Sequence, residues 1–531
     1  MALLLREVML TLDEDETLLP ARVAGELGLS PRAVRQLDIV RCGIDARQKK
    51  RILRVYTVRF ETDDEEMLLA RHKNNPRLSR TRDQEMLHIR RIDRRHRVLV
   101  AGMGPAGLFA ALYLARAGVE VTLVERGRPV ESRVKDVRRF RSGGIFDPVS
   151  NIQFGEGGAG TFSDGKLTTR VKHPWNHFVL QTLVDFGADP DILRQAKPHV
   201  GTDRLRLVLI RFRQELLSLG VDIRYETRLS GLDLQGAVIQ AGLLDGGEEV
   251  PCDSLVLATG HSARDTYDML QRAGVVLESK PFAVGVRVEH PAELINRIQY
   301  GKLFASRLPA ADYALTWNDP ESGRGIYSFC MCPGGEVVVA SSEPGGMVVN
   351  GMSPRRRDGA FSNSALVVSV RQEDFGSPDP LAGVRFQQCW ERAAFLAGGG
   401  NYCAPAQNLL AFLVGGSGPL DSSCRPGVRA ADLREVLPAF VVDGLRRALP
   451  HFERRMRGFV TREATLVGVE TRTSAPVRIS RRENGEAVAQ IGLYPVGEGA
   501  GYAGGIMSAA LDGLRTAEQI IQKTARDRSS G

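Results

Sequence analysis

The sequence predicts a mixed α/β protein of three parts: a small α+β domain, a parallel-sheet domain flanked by helices, and a β-rich domain inserted into the second. Three observations predict this. Residues 1–70 carry strand-like alternating segments around a helical one. From Arg97 the chain runs apolar strand, glycine turn, helix, strand. Glycine-rich segments of similar character return after residue 461, beyond a long strand-rich stretch.

A chain of 531 residues exceeds one average core, so two or three domains are expected. Its 43% hydrophobic and 25% charged content is that of an ordinary globular protein. The opening "MALLLREVMLTLDEDE" has too short an apolar run before Arg6 for a secretory leader and reads as the first strand. The longest uncharged run, Ala393 to Leu420, is long enough to cross a bilayer. Its Gly, Pro, Asn, Gln and Ser content argues instead for a buried turn between two short helices, so no stable membrane insertion is expected. Seven scattered cysteines, an odd number, indicate neither a disulfide framework nor a zinc site; no metal is expected, and a cytoplasmic location fits.

The formal charge of +8 is concentrated: Arg71 to Arg97 hold ten Lys or Arg against three acids. With Pro76 and few apolar residues, this segment reads as a solvated basic linker at 71–96. The competing reading is a surface for a polyanion or an acidic partner.

In residues 1–70, "LLLREVMLTL", "LDIVRCGIDAR" and "RILRVYTVRFET" read as strands, and "LPARVAGELGLSPRAVRQL" has helical spacing, which predicts a ferredoxin-like α+β domain. Gly28, with Ser30 and Pro31 opening a second helix, also gives this stretch a faint helix-turn-helix look. Residues 97–280 begin with a βαβ unit: strand Val98 to Ala101, helix Pro105 to Ala117, strand Val119 to Glu125. A long glycine-rich excursion follows to about His199, then a helix ending at Gly220, and the apolar strand of "DSLVLATGHSARD". "PFAVGVRVEHP" alternates as a strand does and opens an inserted domain expected over 281–460; residues 461–531 return to the first sheet.

Gly102, Gly104 and Gly107 form G-x-G-x-x-G between a strand and a helix, the setting in which the motif means dinucleotide binding in a Rossmann-like domain. Gly102 permits the turn, Gly104 lets main chain approach a pyrophosphate, and Gly107 lets helix and sheet pack closely. Pro105 and Ala106 open the helix, whose free N–H groups and positive dipole end suit phosphate. Glu125 ends the second strand, where a carboxylate accepts from both ribose hydroxyls; adjacent Arg126 weakens the argument against a 2′-phosphate. Three further features favour FAD over NAD. Ala258-Thr259-Gly260 ends a strand with small residues beside the pyrophosphate. Gly497-Glu498 follows the strand-like "IGLYPV" and places a carboxylate near the ribityl chain. Gly504, Gly505 and Ile506 begin a helix whose N-terminus stabilises negative charge on reduced flavin.

Together these residues resemble the glutathione-reductase-like FAD superfamily. "FGEGGAGTFSDGKL", "PFAVGVRVEHP", "GVETRTSAPVRI" and "YPVGEGAGYAGGI", in that order, are more narrowly similar to bacterial FAD-dependent dehydrogenases of unassigned substrate that carry a small N-terminal domain. The superfamily's common Gly-Asp is Gly497-Glu498 here. By this resemblance the second glycine-rich loop, "NIQFGEGGAGTFSDGKLTTR", lies against the flavin. Gly157 and Gly158 would pass beside the ring, Thr161 and Ser163 would meet its polar edge, and Lys166 would face a developing anion or stand in solvent. The cofactor set includes Arg133 as well, and Arg472, with Thr473 and Ser474, is expected near the flavin, binding it or an anionic substrate.

No second strand-G-x-G-x-x-G-helix unit follows, and no C-x₄-C after the first βαβ unit, so the two-dinucleotide design of disulfide reductases is not indicated; NAD(P)H enters only as a transient electron donor. Cys330 and Cys332 in "YSFCMCPGG" would point to one face of a strand and read as packing residues rather than a redox pair. His261 and His290 read as structural. No side chain stands out as a catalytic acid or base. The expectation is an FAD-dependent oxidoreductase passing hydride to or from an unidentified small molecule. A flavin monooxygenase, a flavin-containing RNA-associated factor using the basic linker, and a non-catalytic electron-transfer partner are the alternatives; oligomeric state is left open.

Overall fold

A computed structural model describes residues 2–81, 87–301 and 308–526; linker residues 82–86 lie outside this set. The first 80 residues run strand, helix, two strands, helix, strand. The sheet order is Arg35–Asp45, Leu53–Glu61, Leu3–Thr11, Leu78–Arg80, with every neighbouring pair antiparallel. Alternate residues of the strands, Leu3, Leu5, Val58 and Phe60 among them, turn inward against Leu19, Val23 and Leu27 of the first helix. The second helix of the helix-turn-helix reading is absent: Ser30 caps a single 3₁₀ turn at Pro31–Ala33, and the chain enters a strand at Arg35. Strand pairing with Leu53–Glu61 wins over the weak helical spacing.

The next sheet has five parallel strands in the order Leu493–Pro495, Ser254–Leu257, Arg97–Ala101, Glu120–Val124, Asp222–Arg224. Its central strand is apolar on both faces because both are covered. Val98 and Val100 pack on the helices Pro105–Arg116, Thr202–Ser218 and Ile506–Arg526. Leu99 and Ala101 pack on a small antiparallel sheet of Leu229–Gln235, Val238–Leu244 and Glu249–Pro251.

The inserted part is a seven-stranded mixed sheet with Phe282–Pro291 at its centre, paired to Phe361–Val370 on one side and Thr465–Glu470 on the other. Thr465–Glu470 therefore belongs to this sheet, and the boundary expected at 460 moves to about residue 470. The expected alternation in Phe282–Pro291 is one of polarity, since both faces are buried. Val284, Val286 and Val288 enter the apolar core, while Arg287 and Glu289 face a polar interior. The uncharged run is not a turn between two short helices. It spans the end of the helix Ala382–Ala397, the strand Ala404–Asn408 and the short helix Leu409–Val414. Among the described residues no helix is long and apolar enough to cross a membrane.

Candidate functional site

A cleft runs from the C-terminal edge of the parallel sheet to the inserted sheet. At its first end stands the turn after Ala101. Gly102 has φ +106, and a Cβ there would lie 2.4 Å from the Ala258 carbonyl oxygen; a Cβ on Gly107 would lie 2.0 Å from the Gly102 carbonyl oxygen. Those two glycines serve the packing of turn, helix and strand. Gly104 differs, because a Cβ there meets no described protein atom within 4 Å and would project into the cleft. Gly104 caps the helix Pro105–Arg116 with no side-chain hydrogen bond, so the first N–H groups are left for an anion in the cleft.

Glu125 is buried and accepts from the N–H groups of Met103, Gly127 and Gly155, each at 2.9 Å. A carboxylate offers about four acceptor positions, so roughly one remains for a ribose hydroxyl. Backbone of both glycine loops, through Met103 and Gly155, and of Gly127 takes the other positions. Arg126 lies over the Phe154 ring, 4.4 Å from its centroid, and donates to Asp265 at 3.0 Å.

The second glycine loop sits on the first: Gly157 N–H donates to the Met103 carbonyl at 2.9 Å, and a Cβ on Gly158 would come within 3.1 Å of Gly104 Cα. Fully buried Arg133 gathers this loop, donating to the carbonyls of Asn151, Ile152, Gly155 and Glu156 and to Thr161 Oγ1. Burial lowers its pKa to about 10 against the opposing charges of Glu125 and Glu156. Thr161 Oγ1 donates to the Glu156 carbonyl, so its side chain is spent inside the loop. Ser163 reaches the cleft wall, with its hydroxyl bonded to the Gly160 carbonyl. Lys166 also lines the cleft and donates to the Met331 carbonyl across from the inserted sheet.

At the other end Ala258, Thr259, Gly260, Gly497, Glu498, Gly505 and Ile506 share the wall. A Cβ on Gly260 or Gly505 would meet no described protein atom within 4 Å, as at Gly104. Burial raises the Glu498 carboxyl to about 7. His261 Nε2 lies 3.8 Å from Glu498 Oε1, and burial, then Arg472 and Arg264, lower His261 to about 3. His261 is thus a neutral wall residue, with no hydrogen-bond partner for Nδ1 among the described residues. His290 is remote and structural: its Nε2 is 2.7 Å from the Phe459 carbonyl oxygen.

Arg472 reaches the wall with most of its donors committed. Nε and Nη2 bind the two oxygens of Glu391 at 2.9 and 2.7 Å, and Nη1 binds Ser262 and Ser342. Glu391 is also held by Arg264 at 2.7 Å, and the two guanidinium groups keep its pKa below the usual carboxylate range despite burial. With about four of five N–H groups used, Arg472 ties the two sheets together at the cleft wall.

Of the expected cofactor residues, Gly107, Arg133, Gly157, Thr161 and Gly504 stand outside the cleft wall, and the first four hold the loops that form it. Sequence reasoning missed Asp164, Phe329, Asn350 and Glu470, which the inserted sheet and the loop bring to the wall. It also placed Cys330 in the packing, whereas Cys330 lines the cleft. The adjacent "CMC" was the available signal, but facing direction depends on a bulge that residue alternation does not reveal.

Glycines that open onto a cleft, free helix N–H groups and a buried carboxylate with one spare acceptor fit a dinucleotide cofactor. Comparisons with known proteins agree. Residues 95–145 match an FAD binding domain, residues 281–473 match the C-terminal domain-like part of an FAD-dependent protein, and residues 5–61 match a domain of unknown function. An "Uncharacterized protein" of Clostridium beijerinckii is 44% identical over 98% of this chain and 99% of its own length. Aklavinone 12-hydroxylase of Streptomyces purpurascens is 29% identical over 28% of this chain and 32% of its own. Kynurenine 3-monooxygenase of Salinispora arenicola is 31% identical over 32% of this chain and 36% of its own, so these two matches span about a third of each enzyme. The chain belongs to the same family as the Clostridium beijerinckii protein, a family of FAD-dependent proteins, and its cofactor is FAD.

Proposed function

We propose that the protein is an FAD-dependent dehydrogenase or reductase of the glutathione-reductase-like kind, acting on a small molecule that enters from the inserted sheet. The observation that carries this reading is the single cleft that joins Gly104, Glu125, Gly260 and Gly505 to Phe329, Cys330 and Asn350. FAD supplies two-electron hydride chemistry when bound. The chain's own part is orientation and exclusion of water: the helix N-termini at Pro105 and Ile506 offer N–H groups, Glu125 fixes both glycine loops, and Arg472 locks the inserted sheet against the cofactor domain. The N-terminal unit has the strand order and alternation of elements of a ferredoxin-like domain, and we read it as an accessory to this enzyme. NAD(P)H is the electron donor we favour, bound transiently, and a cytoplasmic location fits free cysteines throughout the described chain.

A flavin monooxygenase is the second reading, supported by the names of the hydroxylase and monooxygenase that match part of this chain. Anaerobic titration of the purified holoprotein with NADH and NADPH tests the main one. Bleaching of the flavin bands by one nucleotide, followed by slow reoxidation in air without substrate turnover, is expected. Reduction that depends on an aromatic substrate, with oxygen incorporated into it, would favour the monooxygenase. Indifference to both nucleotides would remove them as donors.

A further inference from the structure

Cys330 does not sit as a regular strand places it. In the strand Gly325–Cys332, Phe329 pairs with Ala365 and Cys332 with Asn363, so three steps on one strand face two on its neighbour. The extra residue is taken up by a β-bulge in which Cys330 has φ +44, a left-handed conformation that is strained for a side chain with a Cβ. Such strain persists where the surroundings impose it, and it is common at functional sites. Here it turns Cys330 into the cleft beside Lys166, Asn350 and Glu470, while Cys332 stays fully buried.

The bulge also changes the relation of the two thiols. Residues i and i+2 of an extended strand are nearly 7 Å apart with parallel side chains, at the limit for a disulfide. Around the bulge Cys332 Sγ lies 3.4 Å from the Cys330 carbonyl oxygen and donates to it. Arg287 Nη1 is 3.1 Å from the Cys330 carbonyl oxygen and 3.9 Å from Cys332 Sγ. Lys166 and Arg287 place positive charge by Cys330, and Asp164, Glu470 and Glu498 oppose it. The neighbouring Cys332 thiol, then the cations Lys166 and Arg287, hold the Cys330 thiol well below its ordinary range despite burial; Cys330 and burial push Cys332 well above it. Cys330 therefore stands at the cleft, and Cys332 stays buried behind it.

We propose that Cys330 and Cys332 form a thiol–disulfide exchange site, with Cys330 as the attacking sulfur, Cys332 as the resolving one, and a small disulfide as the substrate class. The Cys330 thiolate bonds to one sulfur of R–S–S–R, the substrate S–S bond breaks, and RS⁻ leaves with the electron pair and takes a proton. Cys332 then loses its proton and attacks Cys330 Sγ, which releases the second RS⁻. One disulfide becomes two thiols, and the protein pair becomes a disulfide. Returning the pair to the dithiol takes two electrons and two protons, which FAD chemistry supplies; only this return rests on the function proposed above.

The test uses reduced, full-length holoprotein and the disulfide 2,2′-dithiodipyridine, with thione release followed optically and peptides mapped by mass spectrometry. Two thiones per fast event and a Cys330–Cys332 disulfide are expected. Cys332→Ser should stop after one thione, with the mixed disulfide on Cys330. Cys330→Ser should lose the fast phase while the exposed Cys389 still reacts at its wild-type rate. The exposed Cys389 is the internal reference, and Cys330 should react faster by on the order of tenfold or more. Reaction of Cys330 no faster than Cys389, or no Cys330–Cys332 disulfide, overturns the proposal even where NAD(P)H bleaches the flavin. Intact thiol exchange in a protein that no nucleotide reduces would instead count against the proposed dehydrogenase.

Discussion

Gly104 and Gly107 are three residues apart and do different work. A Cβ at 107 collides with the Gly102 carbonyl, whereas one at 104 enters open cleft. Gly107→Val should cost about 3 kcal/mol or more, because backbone must shift to admit the side chain. Gly104→Val should leave the apoprotein's melting temperature nearly unchanged while flavin content, read from the visible absorbance against 280 nm, falls steeply. Equal loss of stability in both would mean that Gly104 is a packing glycine. Glu498 supplies a second test at this scale. Burial raises its folded pKa from 4.5 to about 7, so the folded state binds the proton more tightly than the unfolded one. In flavin-stripped protein that contribution is full below about pH 4.5 and is lost as pH rises toward 7. The melting temperature of the wild type should decline over that window relative to Glu498→Gln, in which the carboxyl cannot ionise. Parallel curves would remove Glu498 as the cause.

The second glycine loop is an element held from behind. Its sequence suggests backbone laid along a ring, and Gly158, Gly160 and Gly165 do reach the cleft wall. Gly155 and Gly157 answer to protein neighbours instead, with Arg133 Cδ and Thr161 Oγ1 where their Cβ atoms would be. Arg133 donates to four loop carbonyls from a fully buried position, so its removal leaves those buried acceptors without their donor and takes a positive charge from the neighbourhood of Glu125 and Glu156. Arg133→Met should destabilise by about 3–5 kcal/mol and release flavin. Denaturant unfolding of holo and apo forms measures both. A variant that keeps its flavin and its stability would show that the loop holds its own shape.

For the whole molecule, the N-terminal unit docks by main chain. Cys42 N–H donates to the Arg194 carbonyl at 2.6 Å, and Ala196 N–H to the Cys42 carbonyl at 2.7 Å. This covers part of an otherwise open sheet edge. None of the cleft residues lies in 1–81. A chain lacking residues 2–81 should therefore retain its flavin spectrum and its reduction by a nucleotide donor. Loss of RNA binding in that truncation, where the full chain binds RNA with a steep salt dependence, would revive the nucleic-acid reading.

Much of the fold was legible because local chemistry set it. The βαβ unit follows from an apolar strand, three glycines, a proline at the helix start and Glu125, all within thirty residues. A dinucleotide site followed from the same short-range pattern, and FAD rather than NAD from the motifs at 258–260, 497–498 and 504–506. What the chain alone left hidden depends on partners distant in sequence. Thr465–Glu470 joins the inserted sheet by pairing with a strand some 180 residues earlier, Arg472 is claimed by Glu391, and Cys330 enters the cleft by a bulge against Asn363 and Ala365. By itself the sequence determined a dinucleotide turn and the family of chemistry it serves, since those rest on contacts between near neighbours. Only the tertiary structure decided which polar side chains face the cleft and which are spent holding it, because a donor or acceptor can be used once and its competitors come from elsewhere in the chain.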